Sequence, residues 1–230
     1  MINFRFMKKT DLDENNNERI AVCFLGLPAS GKGTQADLLA KKINAKILGV
    51  GEIIREEIKS ADLSDPFYKN IIERYKKGVP QPDEIVIDMI KKNISKIHKN
   101  IILDNFPFSK NQTHLFEQVI KDLRISKFVL IIIQITKEES LKRILSRKVC
   151  SNCGSIYIED GSQICEKCGG ALISRSDDNE ETLKNRISEY WPRIEEVREI
   201  FPKYGKVILI DGKKSINKVE SEINSKLFNE

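Results

Sequence analysis

Apolar runs of strand length occupy residues 20–25, 101–103, 128–133 and 207–210, with a shorter one near 46–48. Between them apolar positions fall three and four apart, the spacing of one helix face. These helical patterns cover residues 34–43, 51–59, 66–77, 83–97, 110–123 and 138–147, and later 179–199 and 215–227. Strands that are apolar at every position are buried on both faces. Alternated with amphipathic helices, they predict an α/β chain built on a parallel sheet of about five strands, covered by helices on both sides.

The pattern breaks twice. Residues 150–174 are rich in glycine, cysteine and polar side chains, and residues 51–97 are almost wholly helical around a Gly78-Val79-Pro80-Gln81-Pro82 turn. Both read as insertions. The expected organisation is a core of residues 20–49, 98–147 and 176–230, a helical insertion over 50–97 and a cysteine module over 148–175. Residues 1–19, with mixed charges and an Asn15-Asn16-Asn17 tract, are expected to form a mobile extension. They lack a secretory apolar region, and Asp11, Asp13 and Glu14 argue against an acidic-poor transit peptide.

Composition narrows the function only a little. The 230 residues are 40% hydrophobic and 32% charged, ordinary for a soluble globular chain. No apolar run approaches the roughly 20 residues that span a bilayer, so no membrane partner is expected. A net charge of +5, from 39 cations and 34 anions, suits a protein that handles polyanions without implying nucleic acid. A cytoplasmic location is the expectation.

Chemistry enters with Gly26-Leu27-Pro28-Ala29-Ser30-Gly31-Lys32-Gly33-Thr34, set between the first strand and the first helix. Glycines let backbone N–H groups turn inward, and the helix N-terminus adds its dipole, so the segment forms an anion cradle. Lys32 places a full charge on the terminal phosphates. This is the Walker A pattern, although Gly33 separates Lys32 from Thr34. It predicts a P-loop NTPase-type sheet that binds a nucleoside polyphosphate, with the ligand beyond the carboxyl ends of the strands.

Cys150-Ser151-Asn152-Cys153-Gly154 and Cys165-Glu166-Lys167-Cys168-Gly169 form two knuckles. Cys150, Cys153, Cys165 and Cys168 supply four thiolates to a tetrahedral zinc with no open position, hence a structural site. Disulfides and a rubredoxin-like iron centre are the alternatives to zinc. Cys23, inside the first strand, reads as a packed small hydrophobe. The module has no dense basic and aromatic surface, so nucleic acid is not expected as a partner.

Taken together these residues resemble the adenylate kinase family, in its long form with a zinc-bearing lid, over nearly everything from Ile20 onward. The segment 26–35 resembles the phosphate loop, Gly51-Glu52-Ile53-Ile54-Arg55 the acceptor segment, and Leu103-Asp104-Asn105-Phe106-Pro107 the L-D-G-F-P segment. The run from Ile173 through Arg175 to Thr182, closing with Arg186, resembles the post-lid segment. The resemblance implies ATP and AMP as ligands, magnesium with the ATP, a structural zinc and a monomer. It implies donor contacts from Gly26, Pro28, Ala29, Ser30, Gly31, Lys32, Gly33, Thr34, Arg143 and Arg147. Acceptor contacts would come from Val50, Gly51, Arg55, Val79, Gln81, Phe108, Gln112, Arg175 and Arg186, with Gln112 reading the adenine. Lys32, Arg147, Arg175 and Arg186 would neutralise the migrating phosphoryl group and Asp104 would hold magnesium through water.

The acceptor half departs from the family pattern at three positions. Phe108 stands where the family has an arginine that grips the acceptor phosphate, Asn105 replaces a glycine, and Val50 replaces a threonine. Three readings follow. A nearby cation substitutes, Lys110 being in the same turn; or the acceptor is another monophosphate or small molecule that stacks on Phe108; or the chain is a weak catalyst that binds nucleotide as a sensor. The leading expectation is ATP-to-AMP phosphoryl transfer.

Overall fold

The computed structural model describes residues 19–123, 125–158, 162–174 and 180–228. The chain opens with β1 (Arg19–Leu25), α1 (Lys32–Lys42), β2 (Ala45–Gly49) and α2 (Val50–Lys59). Next come α3 (Pro66–Lys76), α4 (Asp83–Ile94), β3 (Asn100–Asp104), α5 (Lys110–Asp122) and β4 (Ile125–Gln134). After α6 (Lys137–Leu145) follow three short strands, β5 (Arg147–Cys150), β6 (Ile156–Ile158) and β7 (Leu172–Ile173). The chain closes with α7 (Glu180–Ile200), β8 (Lys206–Asp211) and α8 (Ile216–Phe228).

Five strands make one sheet in the order β2-β3-β1-β4-β8, parallel at every pairing. The middle strand β1 sets Val22 opposite Ile102 on one side and Val129 on the other. Its side chains alternate between two cores. Ile20, Val22 and Phe24 pack with residues of α1 and α8, whereas Ala21, Cys23 and Leu25 pack with α4, α5 and α7. The uninterrupted apolar run is therefore two interleaved faces, both dry. Cys23 is a buried member of the second face, as expected.

Several helix starts are capped by the residues that the chain places there. Asp65, Ser109 and Thr136 accept backbone N–H bonds at the heads of α3, α5 and α6. By contrast, α1 starts after Gly31 with no capping side chain and no acidic residue in its first turn.

β5 pairs antiparallel with both β6 and β7, giving a three-stranded sheet over the cysteine module. The sequence pattern carried the preceding helix through Arg147, but α6 stops at Leu145. The Ser146 hydroxyl turns back onto the carbonyls of Lys142 and Arg143, and Arg147 enters the ladder opposite Ile158. The extension expected over residues 1–19 lies outside the described residues except for Arg19. Its guanidinium donates to the carbonyls of Ile97, Lys99 and Leu123 beneath the sheet. Among the described residues, no helix is long and apolar enough to cross a membrane.

Candidate active site

The loop leaving β1 has little freedom. Gly26 has φ 153°, and a Cβ there would meet the Ile133 carbonyl oxygen at 2.4 Å and Ser30 Oγ at 2.6 Å. Ala29 and Gly31 also take positive φ, 56° and 99°, which swings successive amides round toward one concavity. The Ser30 N–H closes the turn on the Leu27 carbonyl, and Ser140 Oγ of α6 donates to the Pro28 carbonyl at 2.6 Å. Gly33 and Thr34 lie in the first turn of α1, so the helix presents its positive end to the concavity. Lys32 Nζ donates to the carbonyls of Gly26 and Leu27 at 3.0 and 3.1 Å, curling the ammonium over its own loop.

Two guanidinium groups and one carboxylate act on that ammonium. The Lys32 pKa is lowered to about 8, by burial above all; Arg186 and Arg147 push it the same way and Asp104 opposes them. Arg147, 7% exposed, begins β5; Arg186 projects from α7; Asp104 ends β3. Asp104 Oδ2 lies 3.9 Å from the point a Cβ on Gly33 would occupy, which places the carboxylate beside the loop. Arg175 lies outside the described residues. Arg143 is paired to Glu139 one helical turn back.

This depressed pKa gives a testable pH dependence. A bound polyphosphate adds negative charge beside Lys32 and raises its pKa, so binding above pH about 8 must take up a proton. Affinity for ATP is expected to weaken as pH rises through that value. Calorimetric titration in two buffers of different ionisation enthalpy checks it: proton uptake should approach about one at pH 9 and be small at pH 7. Equal uptake at both values would refute the assignment.

The residues expected to meet the acceptor lie on α2, in the 78–82 turn and in the segment after β3. Arg55 Nη1 sits 3.4 Å from the position of a Cβ on Gly51, so its guanidinium lies against the start of α2. Val50 is part of the buried core. The Val79 N–H bonds the Arg74 carbonyl, and the buried Gln81 donates through Nε2 to the Ile71 carbonyl at 2.9 Å. Asn105 has φ 63° and donates its N–H to the Phe24 carbonyl. Asparagine is among the few side chains that tolerate this left-handed conformation, which accounts for its standing where the family pattern has glycine.

Phe108 is 5% exposed. Its ring meets Tyr190 edge-on, centroids 4.4 Å apart, and the Arg193 guanidinium lies 5.9 Å from its centroid. With those neighbours the ring is already packed and offers no open face to a stacked acceptor. Lys110 lines an open groove with Asp83, Asn111, His114, Arg193 and Glu196, beside the helix start rather than among the groups around Lys32. Gln112 is buried and engaged at both ends of its amide: Nε2 donates to Asp83 Oδ1 at 2.8 Å, and Oε1 accepts from the Phe108 N–H at 2.7 Å. The amide thus braces the segment it was expected to leave for a base. Asp83, Tyr190 and Arg193 carried no motif signal; only their packing reveals them.

The cysteine module meets the geometric demands of a tetrahedral thiolate site. The Sγ atoms of Cys150, Cys153, Cys165 and Cys168 all lie within 4.8 Å of one another. The Cys150–Cys168 and Cys153–Cys165 pairs are 3.4 and 3.6 Å apart, near the ~3.8 Å edge of a tetrahedron with zinc–sulfur bonds of about 2.3 Å. The N–H groups of Asn152 and Cys153 point at Cys150 Sγ, and the Tyr157 hydroxyl lies 3.3 Å from Cys165 Sγ. Gly170 is equally constrained, since a Cβ there would come within 2.8 Å of Cys150 Sγ. A four-cysteine cluster of this shape is compatible with structural zinc.

A phosphate loop on a parallel sheet, ringed by guanidinium groups and flanked by a cysteine module, defines a phosphotransferase that acts on nucleotides. Comparison with known proteins agrees: the family model described as adenylate kinase matches residues 24–206. An adenylate kinase of Acetivibrio thermocellus is 34% identical over 206 residues, covering 86% of this chain and 94% of its own. That of Archaeoglobus fulgidus is 35% identical over 212 residues, covering 88% and 95%, and that of Bacillus cytotoxicus is 32% identical over 207 residues. The chain belongs to the adenylate kinase family, and it is a nucleoside monophosphate kinase.

Proposed function

We propose that the chain catalyses reversible transfer of the terminal phosphoryl group of Mg-ATP to AMP. The observation that carries this reading is the gathering of Arg147, Arg186 and Asp104 around Lys32 at the mouth of the phosphate loop. Loop amides from Gly26 to Thr34 would cradle the donor phosphates, and Arg143 and Arg147 would flank the donor from the lid side. Arg55 would hold the acceptor phosphate, with Val50, Gly51, Val79 and Gln81 framing the acceptor. An acceptor phosphate oxygen forms the new bond to the terminal phosphorus as the bond to the bridging oxygen breaks, its electron pair leaving on ADP. No proton need move. Catalysis is then in-line positioning and neutralisation of charge on the equatorial oxygens. Lys32, Arg147, Arg186 and, from the post-lid segment, Arg175 supply that charge, and planar guanidinium forks suit paired oxygens.

Magnesium enters with ATP, and Asp104 would hold it through water, since the ion sheds its hydration reluctantly. Zinc would sit in the four-cysteine site as a structural ion. Residues 50–97 would act as the acceptor-binding insertion and 148–175 as the lid, closing to exclude water. The working unit in this proposal is a single chain in the cytoplasm, where thiols stay reduced for metal.

Loss of the guanidinium at Phe108 leaves the acceptor phosphate to Arg55, Arg186 and Arg175. A coupled assay with ATP and a panel of AMP, CMP, GMP and UMP tests the acceptor. AMP is expected to lead, with kcat/KM for each other monophosphate at least about tenfold lower. Preference for another base, or no transfer to any, would reject the proposal.

A further inference from the structure

The carboxyl end of α3 is finished by another part of the chain. A helix leaves its last carbonyls without intrahelical partners, and water or a local cap usually takes them. Here the Thr182 hydroxyl donates to the Lys76 carbonyl at 3.1 Å, and Asn185 Nδ2 donates to the Lys77 carbonyl at 3.2 Å. Both donors belong to the opening turns of α7. Between them sits Gly78, at φ 68°, with so little space that a Cβ would meet Arg186 Cγ and the Thr182 carbonyl oxygen at 2.8 Å. Thr182 is 4% exposed, so its half of the joint is shielded from water, whereas the Asn185 bond lies at the surface.

Thr182 and Arg186 are four residues apart and share one helix face, with Asn185 beside them. The face that grips α3 is therefore the face that sends Arg186 toward Lys32. The backbone of Gly78 forms a wall against the first carbons of the Arg186 side chain. Arg186 also spans the Tyr190 ring, its guanidinium carbon 5.7 Å from the centroid.

We propose that Thr182 and Asn185 are positioning residues which make the aim of Arg186 depend on the seating of the α2–α4 insertion. The inference rests on the phosphoryl-transfer reading above, because it concerns when that cation is in place. With the insertion seated, two hydrogen bonds and the Gly78 wall limit the rotamers open to Arg186. With it lifted away, α3 loses its caps and Arg186 loses the wall. Since the same insertion carries Arg55, an acceptor that draws it down completes the ring of charge around the donor in the same motion. ATP alone would face an incomplete ring, which protects it from transfer to water.

The test compares Thr182→Val/Asn185→Leu with Thr182→Ser, in the wild-type and Arg186→Met backgrounds. In the wild-type background the double variant is expected to lose about 10–100-fold in kcat with AMP, the scale of a small misplacement of a catalytic group. KM for ATP should stay within about threefold, and Thr182→Ser, which keeps the hydroxyl, should recover most of the turnover. In the Arg186→Met background the same double change should cost almost nothing further, because its effect passes through Arg186. An equal loss in both backgrounds, or wild-type kcat in the double variant, would overturn the proposal. Should the unmodified protein phosphorylate no monophosphate, the reading of the site falls separately. Hydrogen exchange then decides the joint: faster exchange near residues 77–79 in the double variant upholds it, and unchanged exchange rejects it.

Discussion

Exchanging Lys32 for methionine is expected to lower kcat by about 10³-fold while the protein stays folded, the scale of removing one preorganised cation or donor from a charged transition state. Methionine keeps much of the length and volume but cannot neutralise the terminal phosphate. The folded chain gains from the change in another respect. A lysine whose pKa is lowered to about 8 is charged at neutral pH at a cost to the native state. That cost is present below the folded value and is relieved as pH rises toward the unfolded value, so stability climbs across that window. The methionine variant should therefore melt at or above the wild-type temperature at pH 7 and lose the pH-linked proton uptake. Steady-state kinetics with a melting curve checks both. Turnover within a few-fold of wild type would show that the cation is not where the reaction occurs.

Removing the metal from the cysteine module should have a comparably large effect. Among the described residues the apolar cluster there amounts to Cys150, Cys165 and Leu172 with Tyr157 against them, and two of those would be ligands. So small a core cannot hold three short strands, whereas structural zinc typically supplies about 10–16 kcal/mol in small folds of this kind. Elemental analysis should find one zinc per chain. Chelation should abolish turnover, open residues 147–174 to protease and leave the five-stranded core melting as a unit, with zinc restoring activity. Full activity in metal-free protein, or iron as the resident metal, would reject the assignment. Because Arg147 begins β5, the middle strand of this sheet, unfolding the module would also release one of the cations around Lys32.

The sheet was legible because its strands are buried on both sides, leaving runs such as 128–133 with no polar interruption. The phosphate loop was legible because its turn demands particular residues: nothing larger than glycine fits at position 26. Other features have no one-dimensional signature. The three strands of the cysteine module are two to four residues long and are held by a few cross-strand pairs, too short to show a period. Arg147 continues the helical spacing of the residues before it, although the backbone has already turned at Ser146. At Phe108 the sequence exposed a missing charge but not the ring's destination. That destination is Tyr190, distant in the chain and adjacent in space. Gln112 likewise sat where a base-reading amide was expected, and only the fold shows Asp83 and Phe108 holding it.

The bare start of α1 has a consequence for the protein's life without substrate. A helix whose opening amides meet neither a side-chain acceptor nor an acidic neighbour is left unfinished. In the proposed function, incoming phosphate oxygens would complete it, doing for this helix what Ser109 and Thr136 do for theirs. Nucleotide would then be a structural component of its own receptor, and cellular ATP would tighten the fold as well as feed the reaction.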